Sequence, residues 1–165
     1  MTPEVYVALG SNLNGLYDSI EALLEDALDH LEDYGLPVAR RSSLWRSAAW
    51  PDPAEPPYLN AVALVDTLLP PAKALRALHA LERAFGRVRD RANAPRTLDL
   101  DLIAYGTFVG TVPPLVVPHP RAHERRFVMG PLAEIAPHWR HPVLGRTAGE
   151  LAEEAPVGQD AASLG

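Results

Sequence analysis

Asp99-Leu100-Asp101 is the segment of this sequence whose residue types and spacing are best suited to chemistry. On a strand, side chains two residues apart project from one face, which separates the two Cα atoms by roughly 6–7 Å. Like charges so placed repel, so the pair is comfortable only when solvated or bridged by a cation. Oxygen donors on a rigid strand suit Mg²⁺, which takes one or two protein carboxylates and completes its shell with water and substrate phosphates. Spacing alone also fits the exposed face of an edge strand. Arg87, Arg89 and Arg96 stand close by in the sequence and favour the first reading. A dicarboxylate beside guanidinium groups is an arrangement that suits phosphoryl transfer.

Other candidates divide quickly. Tyr58 and Asn60 share one face of an apolar run, where an aromatic ring and an amide can stack on and hydrogen-bond a flat heterocycle. The same two residues also fit a strand start and an amide satisfying loop backbone. Ala8-Leu9-Gly10-Ser11-Asn12 follows an apolar run but lacks the lysine and further glycines of a phosphate-cradling loop. Any triphosphate is therefore held by side chains and metal. His119 and His123 stand four apart, but Pro118 and Pro120 argue against the helix a zinc pair would need. No nucleophile-elbow pattern supports a serine hydrolase.

Positioning these groups falls to a simple order of elements. Glu4 to Leu9 reads as a buried strand ended by Gly10. Ile20, Leu23, Leu24, Ala27, Leu28 and Leu31 form one helical stripe. Val38 to Ser47 reads as a second strand, and Pro51, Pro53, Pro56 and Pro57 as a stiff loop. Tyr58 to Thr67 is a third strand, Pro70 and Pro71 open a second helix, and Thr97 to Tyr105 is a fourth strand. Pro113, Pro114, Pro118 and Pro120 mark another rigid loop, with helices expected over Phe127 to Ile135 and Thr147 to Ala155. This order predicts an α+β fold: a ferredoxin-like βαββαβ core with a largely antiparallel sheet, helices packed on it and extra C-terminal helices. One domain is expected over 1–156. The small, polar tail 157–165 is expected to fray.

Composition narrows the class. The chain has 165 residues, 47% of them hydrophobic and 22% charged, as in an ordinary globular domain. Cys 0 removes disulfides and thiolate chemistry. Without a membrane-spanning run or a signal-like N-terminus, the expectation is a cytoplasmic protein with no membrane partner. The net charge of −6 argues against a nucleic-acid coat. Lys73 is the only lysine, so nearly all positive charge sits on arginine forks suited to carboxylate and phosphate.

The blocks VYVALGSNL (Val5 to Leu13), YLNAV (Tyr58 to Val62), GRVR (Gly86 to Arg89), PRTLDLDLI (Pro95 to Ile103), VPHPR (Val117 to Arg121) and RRFVMGPLAEIAP (Arg125 to Pro137) carry a resemblance. In this order the sequence resembles the 6-hydroxymethyl-7,8-dihydropterin pyrophosphokinases, enzymes of folate synthesis that move a diphosphate from ATP to a pterin alcohol. The resemblance implies that Asp99 and Asp101 bind two Mg²⁺ ions, with Asp99 a candidate to take the hydroxyl proton. It implies that Arg87, Arg89 and Arg96 steady the phosphates and the transferred group, and that His119 and Arg125 reach the nucleotide. Glu82 is expected near the nucleotide. Ser47, Trp50, Tyr58, Asn60 and Phe127 are expected to form the pterin pocket. ATP and the pterin alcohol are the implied small-molecule substrates, and a monomer is expected. Asn93-Ala94 stands where many members have Trp-Gly, so closure of the loop over Arg89 to Pro95 is expected to depend on its arginines. Two other classes stay open: a non-catalytic ferredoxin-like module that binds nucleotide or RNA, and a Mg²⁺-dependent phosphotransferase with another acceptor.

Overall fold

A computed structural model describes residues 3–49, 52, 54–86 and 98–165. β1 (Val5–Ser11) is buried along its whole length and is an inner strand of a six-stranded sheet. It pairs antiparallel with β4 (Tyr58–Val65) on one side and β5 (Asp99–Tyr105) on the other. β2 (Val38–Arg41) and β3 (Trp45–Ser47) both lie antiparallel on the far side of β4.

The single strand expected over Val38 to Ser47 is thus two. Ser42 interrupts the ladder: its amide donates to the Val62 carbonyl, and its hydroxyl accepts the Val62 amide. A side chain replaces a main-chain partner there, and the strand breaks without leaving a buried donor unpaired.

Each sheet face is covered by helices. α1 (Ile20–His30) starts at Ser19, whose hydroxyl accepts from the Ala22 amide. α2 (Pro71–Ala84) has proline in its first turn, where no amide partner is required. Val5, Val7, Leu9, Leu59, Ala63, Val65, Leu100 and Leu102 face α1 and α2 and pack with Leu24, Leu28, Leu78 and Leu81. The opposite face carries Tyr6, Ala8 and Val62 under α3 (Arg126–Ile135) and α4 (Ala148–Glu154), the latter opened by a reciprocal Thr147–Glu150 cap. In β5 the register shifts beside Tyr6 and Val7, and Ile103 joins the α3 side while Leu102 stays with α1 and α2.

Two further expectations change. Within the proline-rich stretch, β6 (Gly110–Val112) and β7 (Leu115–Val117) pair as a small hairpin. The tail, expected to fray, is placed in the sheet: β8 (Ala162–Ser163) adds to β3, and Ala161 is buried. Composition marks that tail as weak, but main-chain pairing along β3 holds it in place. Among the described residues no helix is long and apolar enough to cross a membrane.

Candidate active site

α3 covers only part of its sheet face. Beyond its first turn, the C-terminal end of β1 and the N-terminal ends of β4 and β5 floor an open cleft of about 620 Å³. Gly10 is the register partner of both Asn60 and Asp99, and Ala8 is the partner of Asp101. One short piece of β1 therefore sets the spacing between an amide on one neighbour and two carboxylates on the other. Asp99, Asp101, Tyr58, Asn60, Ser47, His119, Arg125 and Phe127 all line the cleft.

Asn60 is 9% exposed, and its Nδ2 is buried with no hydrogen-bond partner. An unmet amide donor is costly in a packed interior and sensible at a ligand site, where a heterocycle can supply the acceptor. Gly10 makes room for this amide: a Cβ there would overlap Asn60 Oδ1. Phe127 lies in the first turn of α3, with the Arg125 guanidinium 5.9 Å from its ring centroid.

His119 reaches the cleft because its amide donates to the Ile103 carbonyl at 2.9 Å, which ties it to β5. Its Nδ1 accepts the Arg121 amide, so the proton of the neutral ring sits on Nε2, 3.9 Å from Asp101 Oδ1. Burial first, and then the charges of Arg125, Arg121 and His123, push its pKa down to about 4. At neutral pH His119 is therefore an uncharged donor.

Glu82, expected near the nucleotide, sits in α2 against the start of β5. Its side chain is fully buried in α2 and accepts the Leu100 amide at 2.8 Å. It thereby holds the residue between the two aspartates. Trp50, Arg87, Arg89 and Arg96, together with the loop over Arg89 to Pro95, lie outside the described residues. The sequence reading gave no role to Arg121, Glu124 or Val157, which also line the cleft. Arg121 belongs to the VPHPR block and was open to notice, whereas Val157 reaches the site only through tertiary pairing with Arg125.

Among the described residues no cluster of three or more His, Asp or Glu is placed to hold a metal. The donor set is two carboxylates on one strand face, which fits a hard cation that keeps water or phosphate oxygens in its remaining positions.

Comparison with known proteins decides the family. Residues 6–137 match the model of the 7,8-dihydro-6-hydroxymethylpterin-pyrophosphokinase (HPPK) family. The chain belongs to this family. An HPPK relative named 2-amino-4-hydroxy-6-hydroxymethyldihydropteridine pyrophosphokinase, from Pseudomonas aeruginosa, is 42% identical over 156 residues, covering 94% of each chain. Its namesake from Synechocystis sp. is 42% identical over 149 residues, covering 90% of this chain and 74% of the relative. The fold matches that of HPPK-DHPS from Plasmodium falciparum, solved with pterin and p-hydroxybenzoate. The TM-score is 0.71 at 12% identity, covering 99% of this chain and 46% of that one. This chain thus spans less than half of that longer protein, and the likeness speaks for the ferredoxin-like α+β fold alone.

Proposed function

We infer that this chain is an ATP-dependent diphosphotransferase of folate synthesis. It moves the terminal diphosphate of ATP to the hydroxymethyl group of 6-hydroxymethyl-7,8-dihydropterin and releases AMP. The observation that carries this is the pairing of two unlike half-sites on one sheet: the Asp99–Asp101 face of β5 and the unmet Asn60 amide of β4, joined through Gly10.

The pterin fits the apolar half of the cleft. Phe127 offers a ring face, Asn60 a donor for the heterocycle edge, and Tyr58 and Ser47 the remaining wall. Asp99 and Asp101 are the residues that would hold Mg²⁺, two ions being expected with ATP. When bound, Mg²⁺ supplies charge neutralisation to the triphosphate. His119 donates from Nε2 without adding charge, and Arg125 adds a cation beside the acceptor pocket. Arg87, Arg89 and Arg96 are proposed as phosphate anchors on the family pattern. The pterin oxygen attacks the β-phosphorus, the bond to the α-phosphate oxygen breaks, and Asp99 is the proposed acceptor of the hydroxyl proton. Holding two substrates in line accounts for most of the rate in such a site. We take the enzyme to be a cytoplasmic monomer without nucleic-acid or membrane partners.

The test is to incubate the chain with ATP, Mg²⁺ and the pterin alcohol and to resolve the products. AMP with pterin diphosphate is expected. ADP in place of AMP would assign an ordinary phosphotransferase. Absence of turnover combined with salt-sensitive RNA affinity would assign a binding module.

A further inference from the structure

The C-terminal segment 157–163 makes its contacts on one half of the cleft. The Arg126 amide donates to the Val157 carbonyl, and the Val157 amide donates to the Glu124 carbonyl, which seats Val157 in the cleft lining. Gly158 follows with φ +73°, and a Cβ on it would come within 2.5 Å of Phe127 Cδ1. Its bare Cα is what lets the tail lie against the Phe127 ring. The chain then turns, with the Ala161 amide donating to the Gly158 carbonyl and Arg126 Nε donating to the Ala161 carbonyl. Asp160 Oδ2 accepts the Ala48 amide at 2.7 Å. Ala48 itself lines the cleft beside Ser47. Beyond it, β8 locks onto Trp45 and Arg46 of β3.

These contacts converge on Ala48 and Phe127, the acceptor side, with Val157 itself in the cleft lining. None of the contacts described for the segment reaches Asp99, Asp101 or His119. We propose that residues 157–163 are a positioning segment for the pterin half of the cleft, with Gly158 setting the Phe127 ring and Asp160 fixing the Ser47–Ala48 wall. The proposal rests on the assignment of that half to the pterin. Its physical basis is pre-organisation: a ring and a wall held in place before binding cost no ordering when a rigid heterocycle arrives.

The experiment uses the full chain and its Asp160→Ala, Asp160→Asn, Gly158→Ala and Phe127→Ala variants. Dissociation constants for the pterin alcohol and for Mg²⁺-ATP are measured separately by calorimetry, with KM for each substrate. Asp160→Ala should weaken pterin binding about fivefold to tenfold, the scale of one charge-assisted hydrogen bond, and leave the ATP constant within about twofold. Asp160→Asn keeps an acceptor oxygen and should recover most of the loss. Gly158→Ala should weaken pterin binding at least about tenfold by displacing the ring. Should Gly158→Ala fail to fold, the Asp160 pair decides. Unchanged pterin affinity in folded Asp160→Ala, or equal losses for both substrates, would overturn the proposal. If wild type binds pterin and Phe127→Ala does not, the pocket assignment stands whatever the tail variants do. If Phe127→Ala binds pterin normally, the pocket assignment itself is wrong.

Discussion

Gly10 and Asn60 show how a residue can be required for what it lacks. The Asn60 amide lies across the space a Cβ at position 10 would fill, and the obstructing atom is the tip of a short side chain. Gly10→Ala can therefore fold by turning the amide aside. Its expected effect is on binding: pterin affinity falls about as far as in Asn60→Ala, on the order of 1–3 kcal/mol for a lost polar contact, while ATP affinity holds. Calorimetric titration of both variants checks this, and a Gly10→Ala chain with wild-type pterin affinity would contradict it. Phe127→Ala should likewise cost about 1–3 kcal/mol of pterin binding, by analogy with base stacking on aromatic side chains.

At the scale of elements, α2 buries Glu82 to present one carboxylate oxygen to the Leu100 amide, between the two cleft aspartates. Glu82→Ala should leave that buried amide unpaired, cost about 1–3 kcal/mol of stability and reduce turnover by loosening the start of β5. Glu82→Gln keeps an acceptor and should retain most of both. Urea unfolding and steady-state kinetics on the pair separate this from direct nucleotide contact, in which Glu82→Gln would lose ATP affinity. Position in a strand made part of this arrangement readable in advance. Asp99 and Asp101 are two residues apart, and Tyr58 and Asn60 are two apart, so their faces follow from the pleat. The buried place of Glu82 was not readable, because a glutamate in a helix pattern carries no mark of the amide it will meet. The break at Ser42 was hidden for a similar reason. A serine hydroxyl can take over a ladder bond without changing the strand composition around it. The docked tail was invisible too, since 157–165 is small and polar in sequence and is held by main-chain bonds to β3 and to Arg126.

Across the described residues, one sheet separates two cores, and the α3–α4 layer covers only part of its face beside the cleft. That layer also contains an acid-sensitive point. His141 Nδ1 accepts the Val143 and Leu144 amides at 3.1 Å, and its ring meets Trp139 and His123 edge-on. Burial first, and the His123 charge second, hold its pKa below the ordinary 6.5. The folded value is the lower one, so its stabilising contribution is full above 6.5 and is lost as pH falls through that value toward the folded one. Tm should fall between about pH 7.5 and 5.5, and His141→Asn, which keeps a short acceptor for the following amides, should flatten the slope. An unchanged slope would remove His141 from the cause. In the proposed reaction, activity depends most directly on the carboxylates at the mouth of β5. The decisive measurement is AMP formation by Asp99→Asn and Asp101→Asn with saturating ATP and pterin alcohol at ordinary Mg²⁺, alongside circular dichroism. Each amide preserves shape and removes a negative donor, so a native spectrum with turnover reduced by at least about a hundredfold is expected. Near wild-type AMP formation by either folded variant would contradict the assignment of the site.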